Sequence, residues 1–140
     1  KVERFENNAR TGLTTSTSRS TIWTVVFNKL ISASNLLIQW HLSAWGSSAD
    51  TTLWECYAGS GSWTRGPMAY DHDTSGTTKF CILDFLLTDC DATGSQNIGL
   101  GFHSSNSSSN KPFNVWNPNT TEDVRNSQEL STCIVTEITT

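Results

Sequence analysis

Apolar and polar residues alternate in short runs along most of this chain. Over residues 36–43, Leu36, Ile38, Trp40 and Leu42 fall on one side and Leu37, Gln39, His41 and Ser43 on the other. A period of two marks a β-strand with one buried face. Residues 132–138 repeat it, with Cys133, Val135 and Glu137 set against Thr132, Ile134, Thr136 and Ile138. Residues 22–27 are dense in β-branched and aromatic side chains, which favour strands. Shorter runs at 51–57, 79–88, 97–104 and 113–116 predict further strands, and 68–70 adds one more. Helical periodicity is nearly absent. The best helix candidate, 120–130, carries only Val124 and Leu130 as apolar residues.

Gly, Ser, Asn and Asp gather between these runs, at 46–50, 59–62, 71–76, 89–95 and 104–110. Such residues supply turn conformations. About eight short strands separated by polar turns predict an all-β fold, an antiparallel β-sandwich of the jelly-roll-like kind. No internal repeat is visible, so residues 1–140 read as a single domain, with 1–17 as an N-terminal extension or linker to a preceding part. The tract SSNSSSN at 104–110 reads as a long exposed hairpin loop, because strand pattern resumes at Phe113. The opening KVERFENNAR has no apolar core, which is unlike a signal peptide, and the missing initiator Met fits a fragment or mature form.

Composition narrows the function classes. Charged residues make up only 16% of the chain and the net charge is -4, whereas Thr, Ser and Asn are abundant, so hydroxyls and amides cover the surface. That excludes the basic footprint of a nucleic-acid binder. No apolar stretch approaches the length that spans a bilayer, so membrane insertion is not expected. Cys56, Cys81, Cys90 and Cys133 match neither redox nor zinc-ribbon spacing, and they stand as buried thiols or as one or two disulfides.

Candidate chemistry is sparse. Asp71-His72-Asp73 sets three ligand types in a row. Its place in a polar turn favours side-chain capping of the turn over a metal site. Asp84, Asp89 and Asp91 lack the pattern of a catalytic carboxylate pair, and Asp89 and Asp91 fit local turn bonding. His41 and His103 have no sequence-adjacent partner, and no nucleophile elbow, phosphate loop or H-E-x-x-H motif is present. The chain therefore predicts no enzyme, no metal and no cofactor. Asn106 and Asn119 match the glycosylation acceptor pattern, which a chain this rich in Asn, Ser and Thr matches by chance.

Six tryptophans are the informative excess. Trp23 and Trp40 lie inside apolar strands as natural core members, and Trp54 reads as core or interface. Trp63, in a Gly/Ser-rich loop beside Arg65, and Trp116, between Asn114 and Asn117, suit either subunit contacts or a sugar platform. In such a platform C–H faces stack on the ring and hydroxyls find polar partners. Together with Tyr70, Asp71, Asp73 and His103 they form the candidate ligand-binding set.

The order of features resembles a known family. STIWTVVFNKLISASNLLIQWHLSAW (20–45), KFCILDFLLTDCDATGSQNIGLGF (79–102) and LSTCIVTEI (130–138) are similar, in that order, to segments of the jelly-roll-like domains that end many bacteriophage tail fibres. Residues 46–78 lie outside the resemblance. It implies a homotrimeric receptor-binding domain at the virion surface, or otherwise extracellular, attaching to a host cell-surface glycan. It carries over no fixed site. Four cysteines and six tryptophans depart from the pattern and point to the alternative, a capsid, decoration or filament subunit with no ligand.

Overall fold

The computed structural model describes residues 1–7, 19–46, 50–59, 64–71, 77–88, 90, 92–104 and 131–139. Among them are eight strands: β1 (Val2–Asn7), β2 (Ser20–Lys29), β3 (Asn35–Gly46), β4 (Asp50–Ala58), β5 (Thr64–Asp71), β6 (Thr77–Leu87), β7 (Gly94–Ser104) and β8 (Ser131–Ile138). They form two four-stranded sheets, ordered β1-β8-β3-β6 and β2-β7-β4-β5. Every pairing is antiparallel. Among the described strands, only β4 and β5 are consecutive and pair with each other; every other step from one described strand to the next crosses between the two sheets. This is the jelly-roll arrangement.

Alternation decides which face each strand buries. Leu36, Ile38, Trp40 and Leu42 of β3 meet Leu83, Phe85 and Leu87 of β6 and Cys133 and Val135 of β8 on the inner face of the first sheet. Val25 and Phe27, Trp54, Cys56 and Ala58, and Ile98 and Leu100 supply the second sheet's half of the core. Trp40 is fully buried, and Trp23 meets it edge to face at 5.1 Å between ring centroids, with an interplanar angle of 65°. Such a pair adds about 0.5–1.5 kcal/mol beyond the area it buries.

Residues 2–7 correct one expectation. Instead of extending away as a linker, they form β1, an edge strand along β8, and the partly buried Phe5 packs on the core. The period-two pattern of a six-residue edge strand carrying Glu3, Arg4 and Glu6 is weak in the sequence alone. The strand expected at 113–116 and the helix candidate at 120–130 lie outside the described residues.

The alternating course of the chain gives the sandwich two ends. One carries the β2–β3 turn (30–34), the β4–β5 and β6–β7 connections, Lys1, and the end of β8. The other receives the ends of β3, β5 and β7 and the start of β4, β6 and β8.

Candidate interaction surfaces

The register distributes the sequence-derived residues between the two ends. Arg65 pairs with Glu55 near the start of β5, whereas Tyr70 pairs with Thr51 and Asp71 with Asp50 at its finish. At about 3.3 Å per residue, Arg65 and Asp71 stand roughly 20 Å apart along one edge strand. Leu53 of β4 pairs with Met68 on one side and His103 of β7 on the other. Tyr70, Asp71 and His103 therefore share one corner of the second sheet, and Arg65 belongs to the opposite end. Trp63, Asp73 and Trp116 lie outside the described residues.

At the first end the structure holds a site that the sequence reading did not single out. Glu137 sits on the inner face of β8, in phase with Cys133 and Val135, and is buried. Its carboxylate accepts hydrogen bonds from the Leu30 amide at 3.0 Å and the Ile31 amide at 2.7 Å. The Ser34 hydroxyl lies 2.7 Å from both Glu137 Oε1 and the Ile31 carbonyl oxygen, its single proton shared between them. Lys29, likewise on the inner face of β2, is buried and turns its ammonium back on the same turn, donating to the carbonyls of Ile31 and, at 2.9 Å, Ser32. Burial alone pushes the Glu137 carboxyl up, but the bonds from Ser34, Ile31 and Leu30 and the nearby Lys29 outweigh it, so its pKa falls below the ordinary value.

Lys1 extends this assembly. Its carbonyl accepts the Glu137 amide at 2.8 Å, and its ammonium donates to the Asn28 carbonyl at 2.8 Å, pairs with Glu3 at 2.7 Å and lies 4.8 Å from the Phe27 ring centroid. The available signal was the strand period itself. Glu137 falls in phase with an apolar face, and a charge carried inward must be paired and hydrogen-bonded.

A second polar feature lies on the outer face of the second sheet. The Glu55 carboxylate is buried in an ion pair with Arg19, which precedes β2. Between β2 and β4 runs β7, whose Gly101 pairs with both Thr21 and Glu55. Next along β7 on that face is Gly99, opposite Tyr57. A Cβ on Gly99 would meet the Tyr57 ring at 2.0 Å, so the ring lies where any other residue's side chain would begin. The bond to Glu55 holds the Arg19 guanidinium above its ordinary pKa.

Cys56, Cys90 and Cys133 are free and buried. Desolvation pushes the Cys56 thiol up to about 12 against the lesser pull of Trp40 and the Tyr57 backbone, and burial followed by the nearby Cys56 raises Cys133 as well. At neutral pH Cys56 and Cys133 are thiols, not thiolates, and poor nucleophiles.

No protein-family model matches the chain, and no curated protein matches it. Solved structures do. The crystal structure of the infectious bursal disease virus VP2 subviral particle aligns with all of this chain and 38% of its own, at a TM-score of 0.50 and 12% identity. The structure of the Gx strain of the same virus aligns with all of this chain and 37% of its own, at a TM-score of 0.47 and 13% identity. The chain thus spans well under half the length of the structures it matches. At 12% identity the likeness to the subviral-particle protein is one of fold: this chain is similar to a viral jelly roll along its whole length.

Proposed function

We propose that this chain is a structural jelly-roll domain of a viral particle, associated with the virion and acting by packing against other subunits. The observation that carries this reading is the alignment of the entire chain with a jelly roll in a subviral particle. The buried chemistry supports it. Glu137, Lys29, Glu55 and the three described thiols are committed to holding the sandwich together, an arrangement suited to a subunit without a reaction of its own. The test is the assembly state of the purified chain by light scattering and electron microscopy. Defined oligomers or particles support the reading, and a monomer across the micromolar range counts against it.

Attachment to a host surface glycan by a homotrimer, in the manner of a phage tail fibre or spike, is the second reading. What favours it is the corner where the register gathers Tyr70, Asp71 and His103. A glycan-array screen decides: specific binding lost in Tyr70→Ala and His103→Ala supports attachment, and a blank array leaves packing as the role.

A further inference from the structure

The β2–β3 turn is built as if water were not its final environment. An exposed turn ordinarily leaves its amides and carbonyls to solvent. Here the amides of Leu30 and Ile31 are taken by the buried Glu137 carboxylate, and the carbonyls of Ile31 and Ser32 by the buried Lys29 ammonium. Drawing two charges out of water to bond groups that water would satisfy is costly on a wet surface. On a covered surface it is required, because a backbone group buried without a partner is costlier still.

The side chains of this end agree with its backbone. Leu30 is 59% exposed, Ile31 45%, Ile138 37%, Val2 63% and Leu86 53%. The register groups three of them on the outer face of the first sheet, since Val2 and Leu37 flank Thr136, Leu37 pairs with Leu86, and Ile138 follows Thr136; Ile138 also pairs with Asn35, directly after the turn that carries Leu30 and Ile31. Five large aliphatic side chains so exposed at one end of the sandwich form the kind of patch that marks an interaction site.

We propose that this end of the sandwich, centred on Leu30 and Ile31, is a contact surface for a second copy of this chain. Charge selects that occupant. A surface that meets its own copy around a symmetry axis brings like residues together, so surplus charge there repels itself. Around the turn the charges are closed within the protomer: Lys1 on Glu3 and the Asn28 carbonyl, Lys29 on two carbonyls, Glu137 on the turn. An anionic membrane would instead be met by unpaired Lys and Arg side chains, and both lysines beside this turn, Lys1 and Lys29, are already bonded within the chain. In taking a second copy as the occupant, the inference rests on the assembly role proposed above.

The test compares the wild-type chain with Ile31→Asp and Leu30→Lys by light scattering from about 1 to 100 µM, the range in which weak protein contacts dissociate. Circular dichroism and thermal melting monitor the fold, and flotation with phosphatidylcholine vesicles runs in parallel. Expected is an associating wild type and a folded monomer, or an at least tenfold weaker association, for both variants, with no flotation. Association unchanged in either folded variant overturns this surface while the assembly role stands. A wild-type monomer that floats with vesicles overturns it in favour of a lipid occupant. A monomer that does not float overturns both this surface and the assembly role. The two variants change different exposed side chains, so misfolding of one leaves the other decisive.

Discussion

Glu137 carries a charge on the apolar face of a strand, and its bonds to Leu30, Ile31 and Ser34 make that position tolerable. Glu137→Ala leaves the Leu30 and Ile31 amides without their acceptor, and a urea melt should show a loss of about 1–3 kcal/mol for each buried donor left unsatisfied. The pH dependence follows from a carboxyl whose folded pKa lies below its unfolded one. Its stabilisation is fully present above the unfolded value near 4.5 and is lost as pH falls through the depressed folded value. In Glu137→Gln that acid-side loss should flatten in denaturation curves taken from pH 6 to 2. Gly99 has a role set by space, since Tyr57 occupies the position of its missing side chain. Gly99→Ala should cost about 1–3 kcal/mol by overpacking. Tyr57→Ala in the same chain should recover part of that loss, and strictly additive effects in the double-mutant cycle would refute the contact. The buried thiols give a third outcome: alkylation mapped by mass spectrometry should spare Cys56, Cys90 and Cys133 in the folded protein and label them in guanidinium.

At the scale of elements, the interior strands were legible because alternation and burial coincide. Leu36, Ile38, Trp40 and Leu42 read as one face, and each is buried. The edge strand β1 was not, because its inward residues are Glu3, Phe5 and Asn7, only one of them apolar. Its charges pair along the strand, Lys1 with Glu3 and Arg4 with Glu6 at 3.0 Å, and charged edges discourage strand addition from other molecules. Removing residues 1–7 should therefore do two things. Stability should fall, with up to about 3 kcal/mol from the Phe5 side chain alone, and the bared edge of β8 should raise light scattering on storage. A truncated chain that melts and scatters like the intact one would mean that β1 contributes neither.

For the whole molecule, the distribution of chemistry between the two ends matters more than any one residue. Around Leu30 and Ile31 the first end exposes aliphatic side chains, and Lys1, Lys29 and Glu137 are bonded within the chain, which suits contact between copies. At the other end Asp71 closes β5 and begins the Asp71-His72-Asp73 run, which reads as a turn. If so, chelator treatment should leave the melting temperature unchanged, because an ion bound only by the folded state would have raised it by mass action. A clear downward shift would overturn the turn reading. The candidate site was only partly legible at this scale: a sequence cannot say that Arg65 and Asp71, six positions apart, stand at opposite ends of a strand while His103 stands toward the same end of the sheet as Tyr70.

Alternation and turn chemistry are local, since each strand's neighbours along the chain choose its face and Gly, Asn and Asp choose where it bends. An all-β sandwich of about eight strands and its core residues could accordingly be read from residue order. Pairing is not local. Which strands neighbour one another, that β1 closes against β8, that Glu137 reaches back 106 positions to Ile31, and that Gly99 lies beneath Tyr57 depend on contacts between distant segments. Many pairings bury the same apolar faces equally well. Only the packed structure chooses among them, because only there must every inward charge find its partner.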